Sequence, residues 1–69
     1  MSVARNTEIS ATSKQSFEDA ISQGLARATK TLRNVKGAWI KEQEVEVDSG
    51  GQISEYKVTM IVTFILEDA

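Results

Sequence analysis

The residues that could do chemistry in this 69-residue chain are few, and most of them lie in its second half. The chain contains no Cys and no His. It therefore lacks the thiolates of zinc sites, the commonest general base and the commonest nitrogen ligand of metals. It also lacks a phosphate-binding loop or a paired-glycine nucleotide motif. We expect a binding protein rather than an enzyme.

A row of acids is the first candidate site. Glu42, Glu44 and Glu46 alternate, so they share one face of a predicted strand. This row either lines a cation site or an acidic channel in an assembly, or forms a solvated or salt-bridged strand face. Asp48 and Ser49 follow it and could offer oxygens to calcium. Because calcium takes about six to eight oxygen ligands, neighbouring chains would have to supply the others.

An aromatic and a basic residue are the other candidates. Trp39, the only tryptophan, either stacks on a planar ligand or packs in a core or an interface. Simple alternation places its side chain on the same face as Gln43, Val45 and Val47. Lys57 either pairs with a phosphate or carboxylate of a ligand or neutralises the acidic row.

One helix is predicted from Ser16 to Val35, because apolar residues recur at spacings of three and four. These residues are Phe17, Ile21, Leu25, Ala28, Leu32 and Val35. Ser13 and Ser16 are candidate N-cap residues, and Gly37 is predicted to terminate the helix. Gly24 is unfavourable in a helix interior, so we expect it to pack closely against a strand.

Three strands are predicted around this helix, at Val3–Ala11, Ala38–Val47 and Gln52–Leu66. The turn residues at 48–51 join the last two as a hairpin, which makes them antiparallel neighbours. If the first strand lies beside the third, the whole sheet is antiparallel, with strand order 1-3-2. The prediction is one α+β domain over residues 1–69, with element order β-α-β-β.

The last strand predicts two different sheet faces. One is apolar and should meet the helix: Tyr56, Val58, Met60, Val62, Phe64 and Leu66. The other is half apolar: Glu55, Lys57, Thr59, Ile61, Thr63 and Ile65. A helix of about 30 Å cannot cover a strand of about 46 Å unless the sheet bends around it, and the second face stays open. We expect that face to bind other copies, since a chain this small builds only a limited core.

Composition and charge narrow the remaining possibilities. Hydrophobic residues make up 41% of the chain and charged residues 26%, which is typical of a globular domain. A net charge of −2 argues against an electrostatic nucleic-acid binder. No apolar run is long enough to cross a bilayer, and the first eight residues lack the apolar core of a signal peptide. We expect a cytoplasmic protein without nucleic-acid or membrane partners.

The order and spacing of several segments resemble the dodecin family over essentially the whole chain. The segments are ATS at 11–13, SFEDA at 16–20, LARA at 25–28, TLRN at 31–34, YKVTM at 56–60 and FILE at 64–67. The resemblance implies a three-stranded antiparallel sheet wrapped around one helix and twelve chains assembled into a hollow sphere. It also implies storage or sequestration of flavin without turnover.

The resemblance also identifies candidate cofactor-binding residues. Flavin-binding dodecins stack the isoalloxazine ring on a tryptophan just after the helix and hold it with a glutamine in the last strand. Those positions fall at Gly37 and Lys57, and Trp39 lies two residues beyond Gly37 on the same strand face. Gly37, Trp39 and Lys57 are thus the candidate residues for riboflavin or FMN.

An alternative comes from residues 37–51, which are similar to a dodecin subgroup without the flavin tryptophan. One member of that subgroup is a calcium-binding dodecin. The alternative function is a flavin-free oligomeric scaffold or a calcium-binding shell.

Overall fold

The computed structural model describes residues 3–66 and contains one helix and one sheet. The elements are β1 (Val3–Ser13), α1 (Phe17–Ala28), β2 (Val35–Val47) and β3 (Ile53–Leu66). Both outer strands pair antiparallel with β3, in the order β1-β3-β2. This confirms the predicted α+β fold and its strand order. In the part of the chain described, no helix has the length and apolar character needed to cross a membrane.

The start of α1 is fixed by side chains that satisfy its first backbone N–H groups. Of the two candidate serines, Ser16 is the N-cap, and its hydroxyl accepts a hydrogen bond of 2.9 Å from the Asp19 N–H. Asp19 in turn accepts hydrogen bonds of 2.6 Å from the Ser13 hydroxyl and from the Gln23 amide. The end of β1 is thereby tied to the first turns of the helix.

The predicted end of the helix is wrong, because α1 stops at Ala28 rather than at Val35. The hydroxyls of Thr29 and Thr31 donate to carbonyls three residues earlier, at 3.0 and 3.4 Å. Such local bonds compete with continuation of the helix. The chain then reverses at Asn34, whose φ of 59° lies in the left-handed region that asparagine tolerates.

The predicted role of Gly37 as helix terminator is also wrong, because Gly37 lies inside β2. The helical spacing misled because Leu32 and Val35 do pack against the core, although neither is helical. The apolar spacing thus predicted correctly that both side chains pack in the core, but it predicted incorrectly that their backbone is helical. Because the helix ends early, β2 begins at Val35 rather than at the predicted Ala38. β1 continues two residues beyond its predicted end at Ala11.

The core lies between α1 and the predicted apolar face of β3. Its fully buried members are Ala20, Val58, Met60 and Val62. A Cβ added at Gly24 would lie 2.5 Å from the Met60 Cε and 3.1 Å from the Ala11 Cβ. The glycine therefore allows the helix to approach the sheet closely, as its place in the sequence predicted.

The helix covers only part of the sheet. With 12 residues, α1 is about 18 Å long, whereas the 14 residues of β3 extend to about 46 Å. It packs on β1 and β3 and leaves most of the helix side of β2 exposed. Ile40 of β2 is 36% exposed, although Met60, directly opposite, is fully buried.

The β2–β3 hairpin extends beyond the rest of the sheet. β1 ends at Ser13, which pairs with Tyr56, so the strand segments beyond Tyr56 pair only with each other. We call residues 46–55 the hairpin arm. The turn at its tip contains Gly51, whose φ of 80° favours glycine.

Candidate functional site on the open sheet face

The face of the sheet opposite α1, here called the open face, carries every candidate cofactor residue. Paired residues in an antiparallel sheet point to the same side, so the register assigns side chains to faces. Gly37 is opposite Thr63, Trp39 is opposite Ile61, and Lys57 is opposite Glu44. Thr63, Ile61 and Lys57 alternate with the buried core residues of β3, so all three candidate positions belong to the open face.

Trp39 is the largest exposed apolar surface of this face, with 53% of the residue accessible. Beside it, the Gly37 position is open: a Cβ built there would meet nothing within 4 Å. The two positions are two residues apart on one strand, or about 7 Å. A planar ring placed over Gly37 would find the indole of Trp39 as its neighbour.

The predicted grouping of Trp39 with Gln43 and Val45 is wrong. The register shifts between Ile40 and Glu42, so Lys41 is an extra residue in β2. A bulge of this kind reverses the alternation of the side chains that follow it, here up to the next register shift, between Glu46 and Val47. Trp39 therefore shares the open face with the acidic row, while Gln43 is opposite the buried Val58.

The bulge residue makes a contact that no sequence pattern indicated. The Lys41 ammonium donates a 3.0 Å hydrogen bond to a carboxylate oxygen of Glu8 in β1. Glu8 and Trp39 are both opposite Ile61, so the side chains of Lys41 and Glu8 bridge β2 and β1 across the central strand. The hydrogen bond and the charge of Glu8 raise the pKa of Lys41.

The acidic row lies on the open face, and its three members share that face, as their alternation predicted that they would share one. Glu42 is opposite Thr59, Glu44 is opposite Lys57, and Glu46 is opposite Glu55. Lys57 is thus beside the row. Within residues 3–66, however, the one ion pair shorter than 4.0 Å joins Lys41 to Glu8.

The candidate residues are not equally close together. Gly37 and Trp39 are neighbours, whereas Lys57 precedes Ile61 by four residues on β3, about 13 Å along the strand. Lys57 is half-buried and opposite Glu44, and this pairing puts it at the acidic end of the open face rather than at the aromatic end.

Asp48 at the tip of the arm uses one carboxylate oxygen within its own turn. That oxygen accepts hydrogen bonds from the backbone N–H groups of Gly50 and Gln52, at 2.9 and 3.0 Å. Across the described residues, no three Asp, Glu, His or Cys side chains come together as a metal site.

Comparison with known proteins places the chain in a family. The family model for dodecin matches residues 3–67. The chain belongs to the dodecin family. It is 38% identical over 66 residues to a dodecin of Thermus thermophilus, covering 96% of this chain and 94% of the relative. A crystal structure of a variant of the T. thermophilus dodecin superposes with a TM-score of 0.90 at 37% identity, covering 99% of this chain and 100% of the other.

A second relative within the dodecins is named a calcium dodecin. It comes from Mycobacterium tuberculosis and is 33% identical over 69 residues, covering all of this chain and 96% of the relative. Its crystal structure, described as having a novel calcium-binding site, superposes with a TM-score of 0.80 at 30% identity, covering 97% of this chain and 94% of the other.

Proposed function

We propose that this dodecin assembles into a homododecameric cage that binds and stores or sequesters a small planar cofactor such as riboflavin or FMN. The observation that carries the proposal is the open face, where the half-exposed Trp39 stands beside the unfilled Gly37 position. We further propose that it is a single-domain cytoplasmic binding protein rather than an enzyme, without nucleic-acid or membrane partners.

Assembly is supported by how much apolar surface one chain leaves uncovered. Trp39 and Ile40 are consecutive in β2, point to opposite faces and are both exposed. Exposed apolar surface on both sides of one strand is unusual for a monomer and is typical of an interface. Other copies of the chain would cover it.

Ligand binding is supported by the residues around Gly37. An isoalloxazine ring needs a flat aromatic neighbour, which Trp39 provides within about 7 Å along the strand. Lys57, in the position of the family's glutamine, offers an ammonium donor but no carbonyl acceptor. Trp39 therefore supplies the main contact, and we expect weaker flavin binding than a tryptophan at position 37 would give.

Riboflavin titration with fluorescence detection tests the cofactor part of the proposal. Stacking on an indole should quench flavin emission, and Trp39→Ala should abolish the quenching. Trp39→Phe is the matched control, since it keeps an aromatic face and should retain part of the effect. Titration of the wild-type protein without any quenching would contradict the cofactor proposal.

The alternative is a flavin-free shell that binds calcium between copies. Two observations favour it: the row Glu42, Glu44 and Glu46 on one face, and the 33% identity to a calcium dodecin. Since one chain does not bring three ligands together within residues 3–66, a site would need oxygens from a neighbour. Calorimetric titration of chelator-treated protein with calcium tests this, with Glu44→Gln expected to lower the heat and Glu18→Gln as the control.

A further inference from the structure

We propose that the hairpin arm of one copy docks head-to-tail on the opposite, basic end of a second copy. The proposal rests on the assembly proposed above and specifies one contact within it. The proposal is based on two surfaces of the same chain. They are opposite in charge, and both expose apolar side chains.

The hairpin arm concentrates negative charge. Residues 46–55 contain three acids and no basic residue. Glu46 and Glu55 are directly opposite each other across the two strands, an arrangement that destabilises an antiparallel pair. No cation lies within 4.0 Å of either carboxylate in the part of the chain described. Cations from another molecule would relieve this repulsion.

The arm also exposes apolar surface beside these acids. Val47 and Ile53 are opposite each other, with 56% and 51% of each residue accessible. Both lie in the part of the hairpin that neither β1 nor α1 covers. The arm therefore presents an acidic pair next to an aliphatic pair.

The other end of the chain has the complementary character. Residues 27–36 contain four basic residues and no acid, and all four are exposed: Arg27, Lys30, Arg33 and Lys36. Next to them is a cleft of about 340 Å³, lined on its apolar side by Leu32, Phe64, Ile65 and Leu66. We call these residues together the basic end.

The hairpin arm and the basic end of one chain are too far apart to contact each other. Glu55 and Leu66 are 11 residues apart on β3, so the arm and the cleft are about 36 Å apart along a continuous strand. The chain is 55 Å long, with the two surfaces toward opposite ends. A contact between unlike surfaces of identical chains is heterologous, and such contacts generate closed rings when the rotation closes. A second copy is therefore the occupant to which charge, apolar character and geometry all point.

Charge reversal on each surface, followed by mixing, tests the contact. The variants are Glu46→Lys/Glu55→Lys for the arm and Arg33→Glu/Lys36→Glu for the basic end. The arm variant keeps a like-charge pair, so its folding cost matches that of the wild type. Each variant alone juxtaposes like charges and should weaken assembly about tenfold or more at low salt. Mixed in equal amounts, the two variants should assemble again, because each arm now meets an oppositely charged basic end.

Sedimentation velocity and native mass spectrometry at 50 and 500 mM NaCl measure the assembly. Glu18→Lys and Lys14→Glu are the controls, being exposed charge reversals outside both surfaces, and should leave assembly unchanged. The docking proposal is overturned if the wild type assembles while the reversal variants behave like these controls, or if the mixture does not recover. A wild type that stays monomeric would overturn the proposed cage as well.

Discussion

Substituting Gly37 with tryptophan should convert this chain into a stronger flavin binder. The position is open, since a Cβ there meets nothing within 4 Å, and it lies on the open face two residues before Trp39. A second indole would add one aromatic stacking contact, and its Cβ would displace no neighbour. Because such contacts contribute about 0.5–1.5 kcal/mol, the Kd for riboflavin should fall roughly 2- to 13-fold.

The assay is quenching of riboflavin emission at fixed flavin and increasing protein, with all variants at the same protomer concentration. Ser22→Trp is the matched control, because it adds the same side chain at an exposed position of α1, outside the open face, the hairpin arm and the basic end. Combining Gly37→Trp with Trp39→Ala separates the two indoles. Equal affinities for Gly37→Trp and Ser22→Trp would refute the assignment of the binding site to this part of the open face.

Three further predictions concern the fold and its charges. Ser16→Ala should lower the free energy of unfolding by about 1 kcal/mol in urea titrations, since it removes the N-cap bond to Asp19, while the exposed Ser22→Ala should change it little. Met60→Ala should cost about 2–5 kcal/mol in the same assay, because it leaves a cavity beneath α1, and a smaller loss would mean that the helix collapses onto the sheet. Glu8 raises the pKa of Lys41 above its ordinary value of 10.5 in the folded protein. The contact between the two therefore stabilises the fold fully below pH 10.5, and this stabilisation is lost as the pH rises through the higher folded pKa. Thermal melts of Lys41→Gln should show less alkaline destabilisation than those of the wild type, and a parallel dependence of Tm on pH in the two proteins would contradict this.

The pairing of β2 with β3 and the buried face were predictable because each depends on a strong local signal. The turn residues at 48–51 force β2 and β3 to pair, and the alternation of β3 identifies Val58, Met60 and Val62 as core. Ser16 was one of two predicted N-cap residues, and the acids Glu18 and Asp19 in the turn that follows it supported a helix start there. Gly24 was predictable as a close-packing position because a glycine is unfavourable in a helix interior unless a tertiary contact requires the space.

The end of the helix was not predictable from apolar spacing alone. Leu32 and Val35 continue the helical period, yet they reach the core from a turn and from the start of β2. Apolar residues with this spacing can reach the core whether the backbone between them is helical or not. The better signal was the pair of threonines at 29 and 31, whose hydroxyls bond back to the chain, followed by Asn34 in the left-handed region.

Simple alternation also could not predict that Trp39 lies on the opposite sheet face from Gln43 and Val45. One extra residue at Lys41 reverses the pattern, and no residue type at that position marks a bulge. The same bulge puts Lys41 within reach of Glu8, 33 residues earlier in the chain. A contact between two edge strands across a central one depends on register, which the sequence specifies only through the complete sheet.

If copies of this chain form a cage that holds a planar cofactor on their open faces, native mass spectrometry of the protein incubated with excess riboflavin should detect a species of twelve chains, each of 7.6 kDa. That species should carry bound flavin, and Trp39→Ala should lose it. A monomer or dimer, or an assembly of twelve without any flavin adduct, would contradict this proposal.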